Sequence, residues 1–144
     1  MWRAFDLMVE RAIEREVHGG PLKEKQFIQG FIAESYIDIQ AARLMTINAA
    51  RKIDQGLQGA RTDISAIKVF VPNAYQRVVD RAIQVWGAAG VTNDLPLAQM
   101  YLGARTLRLA DGPDEVHRNA IAKIELGEQA SAAEASKGAR AVGF

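Results

Sequence analysis

The sequence of 144 residues predicts an all-α fold, namely an antiparallel up-and-down four-helix bundle with an extra C-terminal helix. Apolar residues recur at helical spacing in five segments, and short loops containing Gly or Pro separate these segments. No segment shows the alternation of apolar and polar residues that is typical of a strand. Long helices joined by short loops favour a bundle of antiparallel neighbours. We expect residues 1–129 to form the bundle and the weakly patterned residues 130–144 to be a flexible tail.

The first two helices are expected on either side of a short glycine-rich connection. The first runs from about Trp2 to Val17 and ends at His18-Gly19-Gly20-Pro21, because paired glycines and a proline do not continue a helix. The second is expected from about Leu22 to Ile53, and its apolar positions form a wide face.

The third helix is expected to begin at a side-chain cap and to contain a proline. Thr62 or Asp63 can accept a hydrogen bond from an exposed N–H group of its first turn. Apolar positions then keep helical phase up to Trp86, and Gly87 ends the element. Pro72 removes one helical hydrogen bond, at about 3 kcal/mol if nothing compensates, so we expect a kink within a single helix.

In the last two helices the stretch with apolar residues at helical spacing is shorter than in the second and third. Asn93 or Asp94 is expected to cap the fourth, with Pro96 in its first turn, where proline is tolerated. The fifth is expected to begin near Gly112-Pro113 and to end at about Glu128.

Composition restricts the class of protein. The chain is 49% apolar and 24% charged, with a net charge of +1, so no strong field attracts nucleic acid or an acidic membrane surface. It has no cysteine, which excludes disulfides and thiolate metal sites. No apolar run is long enough for a membrane span, and the N-terminus lacks a signal-peptide core. We therefore expect a cytoplasmic protein without nucleic-acid or membrane partners.

A cluster of carboxylates precedes the fifth helix and has two interpretations. In the first, Asp111 is the N-cap and Asp114 occupies the third position, while Asp114 and Glu115 favour the positive end of the helix dipole. In the second, Asp111 is a general base at the opening of a pocket. Helix caps are far commoner than catalytic residues, so the residues alone favour capping.

The sequence QVWGAAG, from Gln84 to Gly90, has two interpretations as well. It can be a helix C-terminus that packs closely against a neighbour. It can also let the backbone approach a pyrophosphate, although it is not a GxGxxG motif after a strand.

No metal site is expected. Glu14 precedes His18 by four positions and Asp114 precedes His117 by three, which would place each pair on one helix face. Carboxylate-bridged metal bundles use pairs of Glu-x-x-His, however, and that motif is absent from this sequence.

Three stretches, in order and at matching separations, resemble one known family. The segment REVHGGPLKEKQ (15–26) is similar to the family's R-x-x-F-G with its downstream glutamine, and QVWGAAG (84–90) to Q-x-x-G-G-x-G. LADGPDEV (109–116) lies where the family has Y-E-G-T-x-Q-I. Residues 3–129 thereby resemble the C-terminal helical domain of FAD-dependent acyl-CoA dehydrogenases. The sequence ADGPDEVH resembles a divergent branch, the acyl-CoA dehydrogenase 10/11-like group.

The resemblance implies a reaction and a cofactor. Asp111 matches the catalytic glutamate of the family, so it would remove the pro-R α-proton of an acyl-CoA thioester while the β-hydride passes to N5 of FAD. The product would be a trans-2-enoyl thioester in fatty acid metabolism. The family holds flavin between subunits, which implies a homo-oligomer, a dimer or a tetramer.

The resemblance also implies a set of flavin-binding positions, some with residues that differ from the family's. The positions are Arg15, His18, Gln26, Gln84, Gly87, Ala88, Gly90, Pro113 and Glu115. Among them the family's phenylalanine is replaced by histidine, its second glycine by alanine, and its threonine and glutamine by proline and glutamate. The catalytic position itself carries Asp111, one methylene shorter than glutamate.

Two functions from different classes follow. The family's other two domains supply most of the substrate pocket, so this chain by itself is expected to have little or no dehydrogenase activity. The first function is therefore that of a C-terminal domain within a complete dehydrogenase. The alternative is a non-catalytic helical oligomerisation module that keeps the fold without flavin.

Overall fold

The computed structural model describes residues 1–56 and 60–141, with side chains up to residue 131. The predicted all-α fold is confirmed. Five helices make up most of the described chain: α1 Trp2–Glu14, α2 Gln26–Asp54, α3 Ala60–Trp86, α4 Leu97–Leu107 and α5 Asp114–Ala141. None of the helices in this described part is long and apolar enough to cross a membrane.

Helix α3 is the central element, since it packs against each of the other four helices. The core lies where α1, α2 and the start of α4 meet the C-terminal half of α3. Its buried residues are small or medium apolar side chains: Ala4, Met8, Ile39, Val78, Val79, Ala82, Val85 and Leu97. Burial of these side chains is the main favourable term that holds the bundle together.

A layer of ion pairs joins α2 to α3 outside this core. Asp38 accepts hydrogen bonds from Arg77 at 2.5 and 3.1 Å and from Arg81 at 2.8 Å. Burial opposes ionisation of Asp38, but these hydrogen bonds and charges outweigh it, so the pKa of Asp38 is lowered. Arg81 also pairs with Glu34 at 2.8 Å. The layer links one face of α3 to α2 beside the apolar core.

The connection between α1 and α2 corrects two predictions. Helix α1 ends at Glu14, not at Val17, and Glu16–Val17 pairs with Gly20–Pro21 as a short antiparallel hairpin, β1 and β2. His18 and Gly19 form its turn with φ of 48° and 80°. Both values belong to the left-handed region that a two-residue type I′ turn requires, which explains why this segment forms a hairpin. A 3₁₀ turn at Leu22–Glu24 follows, so α2 begins at Gln26.

Helix α3 is continuous through Pro72, as its unbroken apolar phase predicts. The kink expected at Pro72 stays a prediction. The predicted cap is wrong, because α3 begins at Ala60 and both Thr62 and Asp63 lie inside its first turn. Asp63 instead pairs with Lys52 of α2 at 2.5 Å. A carboxylate in the first turn also lies near the positive end of the helix dipole.

The N-cap predicted for α4 is also wrong. Pro96 occupies the N-cap position, and no side-chain hydrogen bond caps this helix, so Asn93 and Asp94 do not have the predicted role. The backbone N–H of Asp94 donates to Thr92 Oγ1 at 3.2 Å, which closes a local turn before the helix.

Helix α5 begins close to the predicted position but is longer than expected, since it runs to Ala141 and not to Glu128. Its C-terminal part is rich in alanine, the residue with the highest helix propensity. Flexibility of residues 130–144 stays a prediction, and residues 142–144 lie outside the described ones.

Candidate active site

The loop between α4 and α5 carries Asp111 in an unusual backbone conformation. Asp111 is exposed and has a φ of 53°, and the following Gly112 has a φ of 98°. The left-handed region costs a non-glycine residue about 1 kcal/mol, although aspartate tolerates it better than most. Interactions in the rest of the fold must therefore offset this cost.

Asp111 does not cap α5, so the capping interpretation is wrong in this respect. The helix begins at Asp114, which leaves Gly112 and Pro113 between Asp111 and the first turn. With its positive φ, Gly112 turns the chain away from helical phase, so a cap three residues before Asp114 cannot form. The carbonyl oxygen of Asp111 lies 3.2 Å from Nε2 of His117.

Asp111 and His117 lie at an apolar cleft of about 570 Å³. The remaining lining residues come from α2 and α3: Thr46, Ile64, Ile67, Lys68, Val71 and Pro72. Aliphatic walls with one carboxylate at the edge suit a ligand that has an apolar chain and a polar, reactive end.

Lys68 of α3 connects the wall of this cleft to the Asp111 loop. Its Nζ donates hydrogen bonds to the carbonyls of Leu107, at 2.7 Å, and of Ala110, at 2.6 Å. The last carbonyls of a helix have no intrahelical partner, and a cation at this end is favoured by the helix dipole. Lys68 therefore stabilises the end of α4 and the residue that directly precedes Asp111.

Asp114 anchors the other end of the loop. Its carboxylate is only 3% exposed, and Oδ2 accepts hydrogen bonds from Asn73 at 3.0 Å and from Arg108 at 2.9 Å. Its N–H donates to the carbonyl of Arg108 at 3.2 Å, and Arg108 also donates to Gln76 Oε1 at 3.0 Å. These bonds close the loop and attach it to α3.

The ionisation of Asp114 follows from these contacts. Burial raises the pKa of a carboxyl group, but the hydrogen bonds from Asn73 and Arg108 and the charges of Arg108 and Arg118 have the larger combined effect. The pKa of Asp114 is therefore lowered, and the group stays charged inside the protein.

Three predicted flavin-binding residues lie at the hairpin between α1 and α2. Arg15 follows the end of α1, His18 is in the hairpin turn, and Gln26 is the first residue of α2. All three are exposed. Within the described chain Arg15 forms no ion pair, so its charge is available to an anionic ligand.

The stretch Gln84–Gly90 contains the end of α3 and most of the 3₁₀ turn Gly87–Val91 that follows it. Gly87 ends α3 with a φ of 67°, and a Cβ built there would meet nothing within 4 Å. The backbone at Gly87 is thus open, and Gln84 and Ala88 are exposed as well. Gly90, by contrast, is buried. A Cβ built there would lie only 2.9 Å from Cα and O of Ile83, so the site has no room for a side chain. Close packing accounts for Gly90, while the surface at Gly87 is accessible.

The remaining predicted residues are at the start of α5. Pro113 precedes the helix and is half-buried. Glu115 is exposed and lies 3.7 Å from Arg118. Among the described residues, no three His, Asp or Glu side chains converge where they could hold a metal ion.

The structure thus separates the predicted residues into groups along α3. The loop with Asp111 contacts α3 at Lys68, whereas Gln84 and Gly87 are at its C-terminal end. At a rise of 1.5 Å per residue, Lys68 and Trp86 are about 27 Å apart along this helix. Asp111 is therefore not beside the Gln84–Gly90 stretch of the same chain.

Sequence reasoning missed Lys68, Asn73 and Arg108. A signal for Lys68 was present, because it lies on the same helical stripe as Ile64, Ile67 and Val71. A lysine on such a face either reaches solvent or binds a partner, and here it binds the loop that carries Asp111.

Three comparisons with known proteins bear on this site. Residues 1–126 match the family described as "Acyl-CoA dehydrogenase, C-terminal domain". The chain is 52% identical over 129 residues to acyl-CoA dehydrogenase family member 11 of Rattus norvegicus, which covers 89% of the chain but 17% of that relative.

Solved structures agree with this result. A Mycobacterium abscessus protein assigned to the acyl-CoA dehydrogenases superposes with a TM-score of 0.84 at 43% identity, covering 88% of this chain and 31% of that one. PigA, solved as a complex with FAD, superposes with a TM-score of 0.82 at 26% identity, covering 88% and 32%. The chain spans less than a third of the length of each of these proteins. This chain belongs to the acyl-CoA dehydrogenase family, in which it corresponds to the C-terminal helical domain.

Proposed function

We propose that this domain takes part in the α,β-desaturation of acyl-CoA thioesters by an FAD-dependent dehydrogenase, with Asp111 as the general base. The observation that carries the proposal is the position of Asp111, an exposed carboxylate at the edge of an apolar cleft. Family membership supports the reaction, and the aliphatic lining of the cleft supports contact with part of an acyl chain.

Different residues of the chain would bind the substrate and remove its proton. Ile64, Ile67 and Val71 would hold the alkyl chain, because burial of methylene groups against aliphatic walls is favourable. A carboxylate oxygen of Asp111 would then accept the α-proton, provided it comes within hydrogen-bond reach of the α-carbon. Since aspartate is one methylene shorter than glutamate, the substrate must lie closer to the backbone of this loop.

The predicted flavin-binding residues fit an FAD molecule in charge and accessibility. Arg15 offers an exposed guanidinium group for a diphosphate, and Gln26 and Gln84 offer exposed amides. At Gly87 the backbone is open to close approach. The bound FAD would supply the hydride acceptor, since no amino-acid side chain performs this chemistry.

The separation of Asp111 from the predicted flavin-binding stretch Gln84–Gly90 along α3 supports an oligomer. The Asp111 loop is bound near the start of α3, and the Gln84–Gly90 stretch is at its C-terminal end. Within one subunit they would therefore contact different flavins when FAD is held between subunits. Exposed apolar side chains of α2 offer a surface for self-association: Phe27, Tyr36, Ile37, Leu44 and Ile47. We therefore propose a homo-oligomeric enzyme.

The test uses the complete enzyme that contains this domain. Asp111→Asn should slow reduction of the bound flavin by acyl-CoA about 10²–10⁴-fold, as removal of a general base does. Anaerobic stopped-flow absorbance of the flavin measures this rate. Glu125→Gln, which changes an exposed carboxylate of α5, is the matched control and should reduce flavin normally.

Two results would contradict the proposal. Near-normal flavin reduction in Asp111→Asn would remove Asp111 from the role of base. A native protein that purifies as a colourless oligomer and does not bind added FAD would instead indicate the helical interaction module.

A further inference from the structure

Lys68 is a charged residue on an otherwise apolar stripe of α3. It lines the same cleft as Ile64 and Ile67 and is itself half-buried. Its two hydrogen-bond acceptors are both backbone carbonyls, from residues that follow it by 39 and 42 positions. The side chain thus reaches across the cleft wall to another part of the fold.

The two carbonyls lie at the start of the loop and directly before Asp111. Leu107 is the last residue of α4, and the carbonyl of Ala110 belongs to the peptide bond that leads into Asp111. Because a peptide unit is planar, holding the Ala110 oxygen also fixes the direction in which the chain enters Asp111. The Cα–Cβ direction of Asp111, and therefore the place of its carboxylate, depends on this contact.

The other side of the loop is held independently of Lys68. Asp114 is bound to Arg108 through both its backbone and its side chain, and to Asn73 of α3. Asp111 therefore lies between two anchored points, Ala110 and Asp114. Loss of the Lys68 anchor would release one side of the loop while α5 stays in place.

We propose that Lys68 is a positioning residue for catalysis: its ammonium group holds the Leu107 and Ala110 carbonyls and thereby aims the Asp111 carboxylate into the cleft. This inference rests on the proposed function of Asp111. It assigns Lys68 no contact with the reacting atoms. Its effect on the reaction passes through the backbone of the loop.

The kinetic test is a set of Lys68 variants of the complete, flavin-loaded enzyme. Lys68→Met keeps the aliphatic wall but removes the three N–H donors. A displacement of about 1 Å of a catalytic group costs about 10²-fold in rate, so flavin reduction at saturating acyl-CoA should fall about 10–100-fold. The substrate dissociation constant should change less than about 2-fold, because the apolar lining that binds the chain is kept.

Two further variants sharpen this result. Lys68→Arg again presents several N–H donors, so it should recover part of the lost rate. Lys123→Met changes an exposed lysine of α5 and should react like the wild type. A wild-type rate in Lys68→Met would overturn the inference, and so would an equal loss in Lys68→Met and Lys68→Arg.

Hydrogen exchange gives a readout that does not depend on activity. The amides of Leu109, Ala110 and Asp114 are hydrogen-bonded within the loop, to Thr106 and Arg108. In Lys68→Met their exchange should accelerate while the core of the bundle exchanges as before. Unchanged exchange of these amides, or faster exchange of the entire bundle, would show that Lys68 does not act as a local anchor.

Failure of this inference can be distinguished from failure of the proposed function. If Asp111→Asn reduces flavin normally, Asp111 is not the base and the proposed function itself is wrong. If Asp111→Asn is inactive but Lys68→Met has the wild-type rate, the proposed function stands and only the role of Lys68 is refuted.

Discussion

The loops that follow α3 and α4 both contain a residue with positive φ, but they stabilise it in different ways. After α3 the residue is Gly87, which adopts this conformation without a steric penalty, and a Cβ built there would meet nothing within 4 Å. After α4 there are two, Asp111 and Gly112, and Asp111 adopts the conformation at a cost, in a loop held by Lys68 and Asp114. Asp111 thus adopts a conformation that glycine would adopt more readily, and Lys68 of α3 and Asp114 of α5 hold the loop on either side of it. Such backbone outliers are common at functional sites, which is why the second loop is the stronger candidate.

The largest effect is expected from the anchor of the second loop. Asp114→Ala removes the buried partner of Arg108 and Asn73, and should lower the free energy of unfolding by about 3 kcal/mol. Urea denaturation followed by circular dichroism measures this change. Glu115→Ala removes the neighbouring, mostly exposed carboxylate, so it should change stability by less than about 0.5 kcal/mol. Equal effects of the two variants would contradict the anchoring role of Asp114.

The same carboxylate should make the loop sensitive to acid. Because the pKa of Asp114 is lower in the folded state, its stabilisation is complete above the unfolded-state pKa of about 3.9. It is lost as the pH falls through the folded-state pKa. Asp38 also has a lowered pKa, and it contributes equally to the wild type and to Asp114→Ala. Denaturation between about pH 5 and about pH 2 should therefore give a steeper loss of stability for the wild type than for Asp114→Ala, and parallel curves would refute this.

In the first loop the larger effect is expected at the packed glycine. Gly90→Ala places a Cβ 2.9 Å from the backbone of Ile83, which cannot move as a side chain could, so it should cost about 2 kcal/mol of stability. Gly103→Ala in the middle of α4 is the control. Its Cβ would meet nothing within 4 Å, so it should raise stability by about 1 kcal/mol. Thermal unfolding of the two variants should shift in opposite directions, and a shift in the same direction would contradict the packing explanation.

The open glycine should show a smaller effect that reflects backbone conformation alone. Gly87→Ala meets no neighbouring atom, but a φ of 67° is strained for alanine, so a loss of about 1 kcal/mol is expected. A stability equal to the wild type would mean that the turn relaxes to another conformation at no cost.

The smallest effect, with the opposite sign, is expected in the second loop. Asp111→Gly relieves the left-handed conformation and should stabilise the protein by about 0.5 kcal/mol, since the greater freedom of glycine in the unfolded chain offsets part of the gain. The variant would lack the proposed base. A lower stability than the wild type would mean that the Asp111 conformation carries no strain.

The sequence predicts the helices well because each has an apolar face with helical periodicity. It does not predict the hairpin at Glu16–Pro21, because strands of two residues are too short to show alternation. The wrong caps have another cause, since Asp63 pairs with Lys52, a partner on a different helix. At the start of α4, by contrast, the cause is local, because Asp94 bonds to Thr92 in a turn before the helix.

The candidate site was predictable only in part, because contacts between residues distant in the sequence leave little local signal. Asp111 could be named from its short motif and from the family resemblance. The side chains that hold its loop could not, because Lys68 and Asn73 are about 40 positions away in the sequence and the chain must fold before they meet. The position of Lys68 on an apolar stripe allowed for a partner, but did not indicate which one.

The course of α3 between the two loops has a consequence for how this domain can change in evolution. Insertion of a single residue into an α-helix lengthens it by 1.5 Å and rotates everything beyond it by about 100°. Between Lys68 and Gln84, such an insertion would turn the Asp111 loop away from the face on which the Gln84–Gly90 stretch lies. We therefore expect insertions and deletions among relatives to accumulate near residues 55–60, between α2 and α3, and the length of α3 itself to be preserved.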